Sequence, residues 1–77
     1  PDPAVGLETC RRFGVQPQEV AYIGDGDADM KFARNCGFLA VGAAWGYRPR
    51  EILTASGANV IVDSVSELEK LFCTAKN

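Results

Sequence analysis

Three aspartates, Asp25, Asp27 and Asp29, occupy alternate positions directly after a short apolar run. Carboxylates this close repel one another unless a cation or a helix N-terminus offsets their charge. A helix N-terminus is expected here, because the helical pattern that follows starts near Asp27 and continues to Cys36. A magnesium site of a few carboxylates, completed by water and a phosphate oxygen, also fits this spacing.

Other uses of the same acids are less consistent with the sequence. A calcium loop fits Asp25, Asp27 and Asp29, but it needs Gly where Met30 stands and Glu where Cys36 stands. A dinucleotide-binding fingerprint lacks its third glycine. A purely structural alternative stays open, in which Asp27 caps the helix, Asp29 is a first-turn acid and Asp25 is a turn residue.

Length and composition limit the chain to one small domain. It has 77 residues, of which 47% are hydrophobic and 23% charged, as in soluble globular proteins. No apolar run approaches the roughly 20 residues of a membrane span, and the polar, proline-rich start is unlike a signal peptide. The net charge is −2 and the 8 basic residues are scattered, so neither a membrane nor nucleic acid is the expected partner.

The cysteine and histidine contents narrow the chemistry. Cys10, Cys36 and Cys73 are odd in number and far apart, which fits neither a disulfide framework nor a paired-thiolate zinc site. We therefore expect a cytoplasmic protein in which Cys10 and Cys36 are buried on apolar helix faces. Because the chain has no histidine, it cannot form Ser-His or Cys-His nucleophile pairs.

Hydrophobic periodicity and Gly/Pro punctuation predict alternating helices and strands. The predicted strands are residues 20–23, 38–41 and 59–62. Two helices are predicted at residues 3–13 and 27–36. A third helix begins at Pro49 and ends at Gly57, and a fourth begins with a Ser64/Glu67 capping box. The first strand is apolar throughout, which predicts burial on both of its faces. This order indicates an α/β fold, a three-stranded parallel sheet with flanking helices and strands in sequential order.

The carboxyl ends of parallel strands are where such folds bind ligands. The aspartate loop, the aromatic and basic loop after the second strand, and Asp63 should lie along this edge of the sheet. In the second of these loops, Trp45, Tyr47 and Arg48 are either substrate contacts or packing and solvent-facing residues, and the sequence does not decide between them.

The order of these segments resembles a known family. An opening PDP, a strand ending IGDGDAD, a helix ending Cys-Gly, the loop WGYRPRE and then GANVIVDSVSEL are similar to the C-terminal part of haloacid dehalogenase superfamily phosphatases, with the phosphoglycolate phosphatase group the most similar. The resemblance runs the whole length. It implies a Rossmann-like fold and hydrolysis of a small phosphorylated metabolite with Mg²⁺ as cofactor.

The resemblance assigns two residues to the metal. Asp25 matches the family's magnesium-binding acid and Asp29 its second acid, whereas Asp27 matches no fixed role. The family's aspartate nucleophile lies in a DxDGT-like loop, and here Asp25 and Asp27 are followed by Ala28 and Asp29 instead. Residues 1–77 therefore resemble a partial core domain without the nucleophile loop or the cap domain, so no catalytic residue is assigned.

Several expectations follow from this reading. The chain is expected to be the C-terminal part of a magnesium-dependent phosphatase and to be inactive alone. The alternatives are a non-catalytic module that binds a cation or a partner, and a part of a phosphomutase of the same superfamily. The strand at residues 20–23 lacks the neighbour that the family places beside it, so we also expect self-association through that edge, by strand pairing or exchange, or else loss of order when the chain is dilute.

Overall fold

The computed structural model describes residues 2–46 and 49–74, with side chains up to residue 71. Within these residues helices and strands alternate along the chain. They are α1 (Ala4–Phe13), β1 (Ala21–Gly24), α2 (Asp27–Cys36), β2 (Leu39–Ala43), α3 (Arg50–Ala55), β3 (Val60–Val62) and α4 (Val65–Thr74), and a 3-10 turn at Pro17–Glu19 precedes β1.

The three strands form one parallel sheet in the order β1-β2-β3. Ala21 pairs with Leu39 at the start of the β1–β2 ladder, and Val41 pairs with Val60 at the start of the β2–β3 ladder. Parallel neighbouring strands need a crossover segment between them. The helix α2 connects β1 to β2, and α3 connects β2 to β3. The predicted three-stranded parallel sheet with flanking helices is confirmed.

Local sequence explains where the first two helices begin and end. Pro3 occupies the N-cap position of α1, and the Ala4 N–H donates a 2.9 Å hydrogen bond to the carboxylate of Asp2, the residue before it. Gly14 ends α1 and Gly37 ends α2, both in the left-handed conformation with φ of 69° and 84°. Glycine has no Cβ, so it adopts this conformation at a lower cost in free energy than other residues do.

The core lies between α2 and the sheet. Met30 and Ala33 of α2, Ala40 and Val41 of β2 and Leu53 of α3 have no exposed surface. The remaining core members are Cys10, Cys36, Phe38, Ala43 and Val62. The buried thiols of Cys10 and Cys36 confirm the expected role of both as small hydrophobes, and the side chain of Cys73 lies outside the described residues.

The prediction that the first strand is buried on both faces is wrong for this chain. Ile23 is 43% exposed, and Ala21 and Tyr22 are only partly buried. The reason is topological, because β1 is at the edge of the sheet and β2 takes the central position. Burial of both faces is a property of central strands in parallel sheets.

The second strand runs two residues further than predicted. Gly42 does not end it, because Gly42 pairs with Gly24 on one side and with Ile61 on the other. A Cβ built at Gly42 would lie 3.2 Å from the Cβ and Cδ1 atoms of Leu53. The glycine therefore allows α3 to pack closely on the sheet rather than marking a turn.

None of the helices within the described residues is long and apolar enough to cross a membrane.

Candidate functional site

The candidate site lies at the carboxyl ends of the strands. Gly24, the last residue of β1, is paired with Gly42, and Ala43 at the end of β2 is paired with Val62 at the end of β3. The three strands therefore end side by side, and the loops that begin at Asp25, Ala44 and Asp63 leave from the same edge, as the sequence predicts. This is the edge at which parallel sheets bind ligands.

Asp25 is the first residue beyond β1, and its carboxylate rests against the loop that follows β2. A Cβ built on Gly46 would lie 2.3 Å from the Asp25 Cβ and 2.5 Å from its Oδ2. Real Cβ atoms do not come this close, so the space beside the Gly46 backbone is filled by the aspartate. Asp25 itself is exposed, which leaves room for solvent or a ligand.

Asp29 stands in the first turn of α2 and is folded back towards β1. Its Oδ2 accepts a 3.2 Å hydrogen bond from the Gly26 N–H, the residue that precedes the helix. A Cβ built on Gly24 would lie 2.4 Å from the Asp29 Cβ, so this side chain lies directly over the Gly24 backbone. Asp29 is in the first turn, as the structural alternative expects, and the hydrogen bond also gives it a capping role that this alternative had given to Asp27.

Asp27 is not at the N-cap position of α2. The helix begins at Asp27, and Gly26, with φ −127° and ψ 160°, is the residue at the N-cap position. The alternative that made Asp27 the N-cap is therefore wrong by one position. As the first helical residue, Asp27 places its charge where the helix dipole favours an acid.

The arrangement suits a magnesium ion in part. Asp25 and Asp29 offer hard carboxylate oxygens beside two glycines, and Mg²⁺ is commonly held by one or two carboxylates with the remaining positions filled by water and phosphate oxygens. Within residues 2–46 and 49–74, no group of three or more His, Cys, Asp or Glu side chains could hold a metal ion. An ion here would therefore keep several ligands that the described residues do not supply.

The loop after β2 is a tight turn. The Gly46 N–H donates to the Ala43 carbonyl at 3.3 Å, and the Ala44 N–H donates to the Val62 carbonyl at 2.9 Å. Trp45 is 45% exposed at the tip of this turn, so packing onto the sheet accounts for only part of its surface. Tyr47 and Arg48, the other two residues considered for substrate contact, lie outside the described residues.

Asp63 also lies at this edge of the sheet, but its carboxylate pairs with an arginine. Its carboxylate forms an ion pair with Arg50 at the start of α3, and both side chains are about half exposed. The Ser64 hydroxyl caps α4 by accepting from the Glu67 N–H at 3.1 Å, as predicted. The reciprocal bond to the Glu67 carboxylate comes from the Asp63 N–H rather than from Ser64.

Two residues at this edge were not recognised from the sequence as part of the site. Gly24 and Gly46 contribute no ligand, but each leaves the space that one aspartate fills. The sequence feature that could have indicated them is their position, because each glycine stands at or just after the end of a predicted strand, in a segment that carries polar or aromatic residues. That feature does not identify which side chain fills the space.

A groove of about 700 Å³ lies away from the acids, between α1 and β1. Its walls are largely apolar, with Val5, Cys10, Phe13, Tyr22 and Phe38 among them, and none of the three aspartates lines it. This groove is therefore separate from the strand ends at which the acids lie. The contact between Asp25 and Gly46 joins the aspartate loop to the loop after β2.

Comparison with known proteins gives consistent results. Residues 1–37 match the haloacid dehalogenase-like hydrolase family, and the match includes all three aspartates. The chain is 35% identical over 68 residues to "Probable phosphatase IndB" of Dickeya dadantii, covering 88% of this chain and 30% of that protein. It is 38% identical over 65 residues to a phosphoglycolate phosphatase of Chromobacterium violaceum, covering 84% of this chain and 28% of that one.

A solved structure agrees with the sequence relatives. The crystal structure of a hydrolase from Pseudomonas syringae matches 90% of this chain and 33% of its own, with 27% identity and a TM-score of 0.75. The chain therefore spans about a third or less of the length of each of these three proteins.

Proposed function

Because this chain belongs to the haloacid dehalogenase-like hydrolases, we propose that it supplies the metal-binding part of a magnesium-dependent phosphatase. The observation that carries the proposal is the placement of Asp25 and Asp29. Both side chains lie at the carboxyl end of β1, each against the backbone of a glycine. A phosphatase needs its cation at such an edge, because that is where a phosphate ester can approach the sheet.

The two acids have different roles in this proposal. Asp25 is exposed and binds the ion directly. Asp29 uses Oδ2 to accept from the Gly26 N–H, so its contribution is to hold the ion's water shell or to bind through its other oxygen. A bound Mg²⁺ would neutralise charge on the phosphate oxygens and orient the ester for displacement. Asp27 has no assigned ligand role.

The nucleophile comes from another segment in this proposal. The resemblance to the family implies phosphoryl transfer through a phospho-aspartate. The substrate is positioned for this reaction only when the nucleophile, the acid and the metal occupy one site. The 77 residues are therefore expected to bind magnesium weakly and to leave phosphate esters intact when tested alone. The substrate class is a small phosphomonoester, and phosphoglycolate is the first candidate because relatives carry that name.

One observation favours a second candidate function. The Asp29 carboxylate caps the N-terminus of α2 through the Gly26 N–H, which is a structural task that needs no metal. A non-catalytic module, in which the acids shape the loop and bind a cation or partner incidentally, would show the same bond. The two functions differ in whether the segment supports phosphate release when it replaces the equivalent segment of a complete phosphatase, and in whether that activity depends on Asp25.

Activity is best tested by grafting. The segment of the Chromobacterium violaceum phosphoglycolate phosphatase that aligns with this chain is replaced by these 77 residues, and phosphate release is measured at saturating Mg²⁺. The graft should hydrolyse a small phosphomonoester, and Asp25→Asn should remove most of that activity while Asp27→Asn costs far less. The isolated chain is assayed in parallel and should stay at background.

Three results would contradict the proposal. Turnover by the isolated chain would show that no further segment is needed. Equal losses in the Asp25→Asn and Asp27→Asn grafts would remove the distinct role of Asp25. A graft that folds, as judged by circular dichroism, but has no activity would show that this chain cannot replace the relative's own segment.

We propose a reducing, cytoplasmic setting for the protein. Cys10 and Cys36 are both free and buried in the core, as is usual for thiols in compartments that do not favour disulfides. Fluorescence microscopy of a tagged protein in its cell of origin would test this, and a periplasmic or surface signal would contradict it.

A further inference from the structure

Gly46 is the point at which the loop after β2 meets the proposed metal ligand. A Cβ on Gly46 would lie 2.3 Å from the Asp25 Cβ, 2.8 Å from its Cγ and 2.5 Å from its Oδ2. All three contacts are with the same side chain, so the aspartate is in contact with the glycine along its length. By contrast, a Cβ on Gly26 would be 3.6 Å from the nearest such atom, Oδ2 of Asp29, which is an ordinary contact.

The need for glycine at position 46 is a need for space and not for an unusual backbone. Positive φ angles among the described residues occur at Gly14, Gly37 and Gly57, and Gly46 is not one of them. An alanine would therefore meet no backbone strain of that kind. Its methyl group would instead be placed where the Asp25 carboxylate now lies.

The loop is poorly able to yield to such a methyl group. On the side of β2 it is tied by the bond from the Gly46 N–H to the Ala43 carbonyl, and on the side of β3 by the bond from the Ala44 N–H to the Val62 carbonyl. The nearest atom to such a methyl group would be the Asp25 Cβ, which rotation of the side chain does not move, so relief needs a backbone shift at one of the two positions. Because Asp25 lies exposed just beyond the end of β1 while the loop is tied on both sides, we expect the methyl group to displace Asp25, together with its carboxylate, before it displaces the loop.

We propose that Gly46 is a positioning residue for Asp25, which means that its missing side chain fixes the carboxylate in the orientation that binds the metal. This inference rests on the proposed magnesium site. It extends that site across the sheet edge, from the loop after β1 to the loop after β2. It also links the two loops, because a shift of the turn that carries Trp45 would move the surface against which Asp25 lies.

The first test measures metal binding by the 77-residue chain. Mg²⁺ is titrated into the wild-type chain, Gly46→Ala and Thr54→Ala, and affinity is read from the Mg²⁺-dependent shifts of backbone amide signals. Gly46→Ala should bind Mg²⁺ about tenfold more weakly or worse, as expected when support around a metal ligand is lost. Thr54→Ala is the control, because Thr54 is an exposed residue of α3 that has no part in the proposed site.

The second test needs no metal. The stability cost of Gly46→Ala is measured by urea unfolding in the wild-type background and again in the Asp25→Gly background, where the clashing side chain is absent. The cost should be clearly smaller in the second background, because the two positions are in direct contact. This cycle also covers the case in which Gly46→Ala folds poorly in the wild-type background.

The outcomes separate this inference from the proposed function. If the wild-type chain binds Mg²⁺ and Gly46→Ala binds it equally well, the positioning role is wrong while the magnesium site stands. If the wild-type chain does not bind Mg²⁺, the magnesium site is wrong, and positioning of a metal ligand by Gly46 is wrong with it. An unfolding cost that is the same in both backgrounds would overturn the contact itself as the basis of the inference.

Discussion

The Asp29 side chain lies over the backbone of Gly24, so closely that a Cβ on the glycine would be 2.4 Å from the Asp29 Cβ and 2.6 Å from its Cγ. Gly24 is the last residue of β1 and Asp29 is in the first turn of α2. The contact therefore fixes how the strand turns into the helix. Together with the contact of Asp25 and Gly46, it determines where both proposed metal acids stand.

Replacing Gly24 should be costly. In Gly24→Ala the methyl group would overlap Asp29, and relieving the overlap would move α2 or break the bond from the Gly26 N–H to the Asp29 carboxylate. Overpacking of this kind typically costs about 1–3 kcal/mol. The free energy of unfolding should fall by this amount in a urea titration. Gly26→Ala serves as the control and should be less destabilising, because its methyl group has room, and equal losses in the two variants would contradict the account.

Much of this arrangement was predictable from the sequence. Apolar runs and Gly/Pro punctuation predict three strands in sequential order, and the parallel sheet follows from their alternation with helices. The bounds of α2 are predicted to the residue, since the acids mark its start and Gly37 its end. Local chemistry determines these features, and local chemistry is what a sequence displays.

The contacts between loops were not predictable in the same way. Nothing near Gly46 in the sequence indicates that Asp25 fills its missing side chain, because the contact depends on how β1 and β2 pair. The exposure of Ile23 was missed for a similar reason, since an apolar run looks the same in a central strand and in an edge strand. The partners of Arg50 and Asp63 likewise depend on tertiary structure.

The thiol of Cys36 should make stability depend on pH in the alkaline range. Burial, and secondarily the nearby Cys10, raise the pKa of Cys36 above the ordinary 9.0. The unfolded chain then releases the Cys36 proton at a lower pH than the folded chain does. The stabilising contribution is therefore fully present below pH 9.0 and is lost as the pH rises towards the raised pKa of the folded state.

Cys36→Ala tests this pH dependence. The free energy of unfolding of wild type should fall more steeply above pH 9.0 than that of the variant, because the variant has no thiol to ionise at that position. The comparison uses the slopes with pH and not the absolute stabilities, since the substitution also removes a buried side chain. Parallel slopes would show that Cys36 does not titrate differently in the two states.

The free edge of β1 predicts self-association. β1 pairs with β2 on one side, and no described strand pairs with its other side. Edge strands with exposed apolar side chains, such as Ile23 here, tend to pair with other chains. Sedimentation at micromolar concentration should show species larger than a monomer, and Ile23→Lys should reduce them, because a charged edge residue disfavours pairing. A compact wild-type monomer would contradict this prediction.

The central claim is that Asp25 is the acid that binds magnesium. It is tested most directly by titrating Mg²⁺ into the wild-type chain, Asp25→Asn and Asp27→Asn while following backbone amide signals. Each variant removes one negative charge, from positions only two residues apart, so loss of charge alone cannot distinguish them. The signals of the loop between β1 and α2 and of Gly46 should shift with Mg²⁺ in the wild type and in Asp27→Asn, and should stay fixed in Asp25→Asn. Unchanged binding by Asp25→Asn, or equal losses in both variants, would contradict the claim.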